Sequence, residues 1–391
     1  MTITDSYVSD LWENMYKVAV NANILIQKCS EMEFPAGNQA EVDHIIGEAY
    51  AIRALTYFEL CRFFAKPYNS TSDGSHGVPI VVNSDYSSVI KPARSSIADS
   101  YKQIIADLQQ SITMLPVNPV GFSSSVKGRM NHYAAKAILA RVYLYKGDWD
   151  NAELMAKEVI LSGKYSLLSN SQFASTFRTQ NNAETIFEIQ YNSTDNLSSN
   201  ALVNFCKQGG SYGDALATQN LYEQYTSSDV RRSTYLLMGK RSGSGGEDPA
   251  VQIVKFDNNS NYQEGVKIVR LADMYLIRAE ALARKGAGQN EIDAAAALDI
   301  VRKRADASAT ATTATGVELQ DLILLERRKE FFLEGHRLFD LTRNKKAFTK
   351  YRTAGITMPV ENTSTKTILP IPRSELRYNS NVTQNPGYES Q

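Results

Sequence analysis

The residue types that usually carry chemistry are scattered through this sequence rather than grouped. The four histidines, at positions 44, 76, 132 and 336, have no partner at the spacing of a zinc site. The three cysteines show neither metal-ligand spacing nor a disulfide framework. The chain contains no Gly-x-Ser-x-Gly elbow, dinucleotide fingerprint or Walker loop. Carboxylates are abundant, but no spacing marks an acid/base pair, so we predict a protein that is not an enzyme.

The sequence also shows no motif that binds a cofactor. Loops rich in Asp and Asn could hold a structural calcium ion, but no EF-hand-like spacing supports one. We therefore predict no cofactor, and we treat calcium as an unsupported alternative.

Aromatic and amide side chains in the predicted loops are the more informative candidates. Aromatic rings stack on the apolar faces of sugars or peptides, and amides hydrogen-bond to hydroxyl or backbone groups. The alternative for each ring is that it only holds its loop against the core. The candidate ligand-binding residues are Tyr68, Asn69, Tyr86, Asn192, Asn204, Phe205, Tyr212 and Tyr262.

Overall composition narrows the class of partner. The chain has 391 residues, and its 42 basic and 42 acidic residues cancel. A formal charge of zero gives no support for a nucleic-acid or anionic-membrane partner. No apolar run is long enough to span a bilayer, and no signal peptide is apparent.

A helical hairpin at residues 133–160 is the pattern on which the other elements depend. Its apolar residues recur at steps of four, three and four, as on one face of a helix. Gly147 and Asp148 then predict a corner, because Gly can adopt a left-handed cap and Asp can cap the next helix. Small residues at Ala140 and Ala152 would let the two helices approach closely. This pattern is typical of a tetratricopeptide (TPR) hairpin, although any antiparallel helix pair would share part of it.

Similar patterns organise the rest of the chain. We predict one interleaved domain over 1–391, with TPR-like helices at about 6–65, 97–161 and 269–304 and a further helix at 318–343. Loop-rich segments at about 66–95 and 164–265 form an excursion on the ligand side, with short strands near 185–191 and 251–256.

The helix predicted at 318–343 carries a regular charge pattern. Glu334, Arg337, Asp340 and Arg343 are spaced three apart. Such pairs face each other on a helix and contribute only about 0.2–0.5 kcal/mol each. We therefore interpret them as salt bridges along a helix and not as an active site.

Several stretches together resemble one family. They are EAYAIRALTYFELCRFFAKPY followed by GVPIV, the hairpin GRMNHYAAKAILARVYLYKGDWDNAELMAKEVI, LADMYLIRAEALAR, LLERRKEFFLEGHRLFDLTR, and LPIPRSEL with the closing QNPGY. These stretches resemble the SusD/RagB family of nutrient-binding outer-membrane lipoproteins of the Bacteroidetes. The usual Gly of the turn after the early helix is replaced, with Ala65 and Lys66 in that stretch.

The resemblance implies a mainly α-helical fold, with about four TPR-like units forming a spine on one side and loops on the other. It implies a surface-exposed lipoprotein of the cell outer membrane, held by an N-terminal lipid anchor. It also implies capture of oligosaccharides, or of peptides in some members, for a SusC-like TonB-dependent transporter, without catalysis.

The sequence departs from the family pattern in two ways, and these limit which binding residues the resemblance can assign. The lipidated cysteine is absent, so the resemblance implies an anchor on residues that precede this sequence. The family often uses Trp to stack on its ligands, whereas Trp12 and Trp149 both lie in predicted helices. The stacking residues here must therefore be Tyr or Phe, and the candidates above rest on chemistry alone.

Three alternatives stay open at this point. The protein could be a peptide-binding member of the same family. A TPR scaffold for protein partners predicts a bare concave groove. A helical glycoside hydrolase predicts two carboxylates about 5–9.5 Å apart across a pocket.

Overall fold

The computed structural model describes residues 1–35, 37–70, 75–83, 90–118, 126–175, 177–209, 212–241, 249–256, 265–351 and 356–388. Its helices, in chain order, are α1 (Ser6–Glu31), α2 (Gln39–Phe64), α3 (Ile97–Met114), α4 (His132–Lys146), α5 (Trp149–Leu161), α6 (Leu202–Cys206), α7 (Gln219–Tyr222), α8 (Val230–Tyr235), α9 (Leu271–Lys285), α10 (Gln289–Ala305), α11 (Gly316–Glu330), α12 (Arg337–Arg343) and α13 (Arg373–Tyr378). The strands are β1 (Thr185–Ile189), β2 (Leu216–Ala217), β3 (Leu236–Gly239), β4 (Ala250–Ile253), β5 (Val266–Arg270), β6 (Phe348–Tyr351) and β7 (Thr357–Val360).

Eight of these helices pack in a row and form the spine. Each of α1 to α4 packs against the helix that follows it, α5 packs against α9, and α9 packs against both α10 and α11. Eight helices in a row amount to four helix pairs. The predicted mainly α fold with TPR-like hairpins is confirmed, and the described residues between α5 and α9 lie outside this row of helices and form the excursion.

The α4–α5 hairpin shows how local sequence signals position the spine. The Asn131 side chain accepts hydrogen bonds from backbone N–H groups of the first turn of α4. Gly147 ends α4 with a φ of 83°, and Asp148 then caps α5. Ala140 and Ala152 are fully buried, as the close approach of the two helices requires.

The excursion has small antiparallel sheets and its own apolar cluster. β1 pairs with β5, and β4 lies between β2 and β3. Phe173, Phe177, Tyr225, Tyr235 and Val251 are buried in the cluster. The sheets are too small to be stable alone, so the cluster and its contacts with α11 support them.

The prediction of one helix over 318–343 is wrong. α11 ends at Glu330 and α12 begins only at Arg337. Between them Leu333 and Gly335 have φ values of 60° and 76°, a left-handed backbone that interrupts a helix. The break turns Glu334 towards the excursion, where its carboxylate accepts hydrogen bonds from a lysine and an arginine at 2.8 Å.

A hairpin that the sequence analysis did not predict follows α12. β6 and β7 pair in an antiparallel register, with Phe348 opposite Val360 and Tyr351 opposite Thr357. Within the described ranges, no helix combines the length and hydrophobicity that a membrane span requires.

Candidate functional site

Two exposed aromatic rings lie face to face on the excursion. The ring centroids of Phe205 and Tyr212 are 5.0 Å apart, and the ring planes differ by 9°. Phe205 is 38% exposed and Tyr212 47% exposed, although both are large aromatic side chains. We call them the aromatic pair. Such a pair presents flat apolar surface at its outer faces and edges, to which a sugar ring or another aromatic group can stack.

Backbone hydrogen bonds join the residues after Tyr212 to α6, the helix that carries Phe205. Gly213 N–H donates to the Asn204 carbonyl at 3.1 Å, and Ala215 N–H donates to the Phe205 carbonyl at 2.8 Å. Gly213 has a φ of 63°, and a Cβ there would lie 2.9 Å from the Lys207 carbonyl oxygen. Glycine is therefore required at this position, and the two hydrogen bonds join the backbone that follows Tyr212 to α6, which carries Phe205.

A cavity of about 340 Å³ is lined in part by α6, the helix that carries Phe205, although neither ring of the aromatic pair lines it. We call it the α6 cavity, because Leu202 of α6 lies on its rim and is three residues from Phe205, on the same side of the helix. Leu197, Val266 and Leu333 complete an exposed apolar rim. Tyr191 also lines the cavity, and burial raises the pKa of its phenol, which stays protonated.

The charged groups of the α6 cavity already have partners. Arg141 binds Asp273 at 2.8 Å and Lys267 binds Glu188 at 2.6 Å. Burial and the charges of neighbouring arginines hold the pKa of His336 well below its usual range, so its ring is neutral. The cavity is thus suited to binding by shape and apolar contact.

The carboxylates of the cavity are engaged too. Glu59 binds Arg62 at 2.5 Å, and Glu334 binds Lys255 and Arg270, each at 2.8 Å. Among the described residues, no group of three or more His, Cys, Asp or Glu side chains could hold a metal ion.

A second hollow lies beyond the turn between α11 and α12. It measures about 740 Å³ and shares Leu333, Gly335 and His336 with the α6 cavity. Phe348 and Tyr351 of the β6–β7 hairpin form one of its walls, so we call it the hairpin groove. The strained turn at Leu333 is therefore the boundary between the two hollows.

The predicted candidates are only partly brought together. Asn204 adjoins the aromatic pair but is buried, and its amide donates to the Ser198 carbonyl at 3.3 Å. Asn192 closes a turn of its own, accepting from the backbone of Thr194 and Asp195 at 2.8 Å. The amide side chains of Asn204 and Asn192 therefore stabilise loops.

Two further candidates are placed on the spine. The Tyr68 ring lies 4.9 Å from the ring of Tyr101 on α3, and Asn69 donates to the Arg343 carbonyl at 2.8 Å. Neither contact joins them to the aromatic pair. Tyr86 and Tyr262 lie outside the described residues.

The sequence analysis missed the hairpin groove, and it misjudged Arg337. Asp340 does bind Arg343, at 2.6 Å, as expected. The expected pairs of Arg337 with Glu334 and Asp340 are absent from the described contacts, because Glu334 turns to Arg270 and Asp340 also binds Arg327. The alternating residues of β6 and β7 were the signal for the hairpin that lines the groove.

Two family models match opposite ends of the chain. The model described as the SusD family matches residues 250–388, and the model described as starch-binding associating with outer membrane matches residues 1–144. The chain is a member of the SusD family. The predicted family is confirmed, and the matched ends contain most of the spine.

Relatives that match nearly the whole of this chain support the same family. The SusD-like protein P2 of Formosa agariphila is 26% identical, over 97% of this chain and 81% of that protein. The crystal structure of a SusD superfamily protein from Bacteroides vulgatus is 28% identical with a TM-score of 0.86, over 97% of this chain and 85% of that one. A structure named a laminarin-binding SusD-like protein is 26% identical with a TM-score of 0.76, over 97% and 86%.

Proposed function

We propose that this SusD family protein binds oligosaccharides at the aromatic pair without changing them chemically. The observation that carries the proposal is the exposure of Phe205, on α6, and of Tyr212, whose ring stacks on it. The surface of the two rings that stays exposed to water adds nothing to the stability of the core. Exposed aromatic surface of this kind marks a binding site, and sugar rings stack on it through their apolar faces.

The relatives support this choice of ligand. The similar laminarin-binding structure covers 97% of this chain, and the family model at residues 1–144 is described as starch-binding. The neighbouring α6 cavity, with its apolar rim, gives room for a further sugar residue. Peptides are the alternative ligand, and the experiment below includes them.

We place the protein at the outer membrane, as a lipoprotein exposed on the surface. In this account it delivers its ligand to a SusC-like TonB-dependent transporter. The family description, with its outer-membrane association, supports the location. Delivery requires release, so we expect dissociation constants from micromolar to millimolar, about −8 to −4 kcal/mol.

The absence of catalysis is part of the proposal. Glu59 and Glu334, the glutamates that line the α6 cavity, are held by Arg62, Arg270 and Lys255. A glycosidase needs one carboxyl group with a raised pKa as its acid. Both glutamates instead serve as ion-pair partners of neighbouring cations.

The test is calorimetric titration with laminari-, malto- and other oligosaccharides and with a mixed peptide digest. Heat from at least one glycan, with the sugar recovered intact by chromatography, supports the proposal. Heat from peptides alone contradicts the proposed ligand, and shortened sugars contradict the absence of catalysis. Co-purification of a TonB-dependent transporter with the lipidated protein from outer membranes tests delivery, and purification of the protein alone contradicts it.

A further inference from the structure

The hairpin groove combines apolar walls with an unusual pair of cations. Its walls include Leu221, Phe332, Leu338, Phe348 and Tyr351, and Tyr351 is 47% exposed. The volume of about 740 Å³ lies within the range of small-ligand sites, about 300–1,000 Å³. Arg328 and Arg337 line the same groove.

These two arginines lack the carboxylate partners that their neighbours have. Arg327 binds Asp273 and Asp340, and Arg343 binds Glu280 and Asp340. Arg328, in contrast, donates to the amide oxygen of Asn220 at 2.9 Å and, among the described residues, to no other group. Over the part of the chain that the structure describes, no hydrogen bond or ion pair involves Arg337.

Two partly buried cations without an anion are unfavourable together. Burial and the charge of Arg328 lower the pKa of Arg337 to about 10, although the charge of Asp340 partly opposes them. Burial also lowers the pKa of Arg328. A bound anion would relieve both effects, because it supplies the charge that the groove lacks. Guanidinium groups are suited to carboxylate and sulfate groups, which they bind through paired hydrogen bonds.

A residue of the groove wall lies close in the chain to the aromatic pair. Leu216 lies in the groove wall and follows Ala215, whose N–H donates to the Phe205 carbonyl. Leu216 is four residues from Tyr212, so their Cα atoms are at most about 14 Å apart. A short oligosaccharide can therefore extend from the aromatic pair towards the groove.

We propose that the hairpin groove binds an acidic sugar residue, a uronate or a sulfate ester, with Arg328 and Arg337 holding its anionic group and Tyr351 contacting its ring. This inference rests on the proposed glycan binding and narrows the ligand to anionic oligosaccharides. The apolar walls favour a sugar over a free inorganic anion, because they offer a ring far more contact.

The experiment compares ligands that differ only in charge. One pair of ligands consists of oligogalacturonates and their methyl esters. The other pair consists of a sulfated oligosaccharide and the same oligosaccharide without its sulfate groups. Titration is performed on the wild type, Arg337→Gln, Arg328→Gln and the control Arg377→Gln. Arg377 is an exposed arginine on α13, away from the groove lining, so the control has the same loss of charge. Thermal unfolding checks that each variant is folded.

We expect the wild type to bind at least one acidic ligand about tenfold more tightly than its neutral form. Arg337→Gln should remove this preference and leave the affinity for the neutral form unchanged, whereas Arg377→Gln should change neither. Two results overturn the inference and leave the proposed function intact: equal affinity for acidic and neutral forms, or binding of neutral glycans alone. Silence with every sugar overturns the proposed function as well. Preference for peptides with a free carboxylate, sensitive to Arg337→Gln, overturns the choice of a sugar.

Discussion

Arg270, at the end of β5, donates a hydrogen bond to Glu330, the last residue of α11, at 2.5 Å. This contact joins the excursion to the spine at a point where both residues are buried. Glu330 also binds Arg231 and Arg304. Burial would raise the pKa of Glu330, but the charges of Arg304, Arg270 and Arg231 hold it well below its usual range.

Glu330→Gln should strongly destabilise the protein. The substitution leaves the cations around it without their shared anion, which typically costs about 3–5 kcal/mol of the free energy of unfolding. Denaturant titration measures the change. The control is Glu13→Gln, which breaks the exposed pair with Lys17 and should cost no more than about 1 kcal/mol. Similar losses for the two variants would contradict a central role for Glu330.

We propose that spine and excursion form one domain, and therefore unfold together. Tyr225 of the excursion donates to the Lys329 carbonyl at 2.9 Å, and Arg231 binds Glu326 at 2.6 Å, both on α11. Scanning calorimetry should show a single transition, with equal calorimetric and van't Hoff enthalpies. Two resolved transitions would show that the excursion is an independent unit.

Lys255 should make stability depend on alkaline pH. Burial lowers the pKa of its amine to about 8, although it binds the Phe332 carbonyl and Glu334. The unfolded value is about 10.4, so between these pH values the unfolded chain binds more protons. The free energy of unfolding therefore gains up to about 3 kcal/mol from this group as pH rises from 8 to 10.4.

Urea denaturation at pH 7.5 and pH 10 tests this dependence. Lys255→Met should lack the gain that the wild type shows, because Met does not titrate. Lys346→Met, which removes an exposed lysine paired with Asp321, should keep it. An unchanged pH dependence in Lys255→Met would contradict the prediction.

The turn between the two hollows should be sensitive at Gly335 and tolerant at Leu333. A Cβ at Gly335 meets no atom within 4 Å, so Gly335→Ala acts only through its φ of 76°. We expect a loss of about 1–2 kcal/mol in the free energy of unfolding. Leu333→Gly relieves the same kind of strain, so its backbone contribution should be favourable. Thermal or urea unfolding measures the stability of both variants. A lower stability for Leu333→Gly than for Gly335→Ala would contradict this account.

The spine could be predicted closely because its signals are local. The predicted hairpin at 133–160 corresponds to α4 and α5, whose bounds His132–Lys146 and Trp149–Leu161 lie within two residues of those expected. Apolar spacing and the caps at Gly147 and Asp148 are properties of adjacent residues.

The break after α11 could not be predicted in the same way. The segment 318–343 has a helical pattern throughout, but Glu334 finds its partners at Lys255 and Arg270, far away in the sequence. Such long-range pairs decide the local backbone here, and single-sequence patterns do not contain them. The same holds for the unpaired Arg337, which follows from where Glu334 turns.

The aromatic pair could be predicted from the sequence only in part. Phe205 and Tyr212 were both candidates, because loop aromatics are visible in the sequence. Their stacking depends on the hydrogen bond between Gly213 and Asn204, which closes the loop. The sequence could therefore identify the rings, whereas their pairing required the fold.

Tyr212→Ala tests the central claim most directly. Using the glycan that binds the wild type, calorimetric titration should show a dissociation constant about two- to tenfold higher, because one stacked ring contributes about 0.5–1.5 kcal/mol. The control is Tyr7→Ala on α1, which removes a tyrosine that is 77% exposed on the spine and should leave affinity unchanged. Equal affinities for wild type, Tyr212→Ala and Tyr7→Ala would contradict the account.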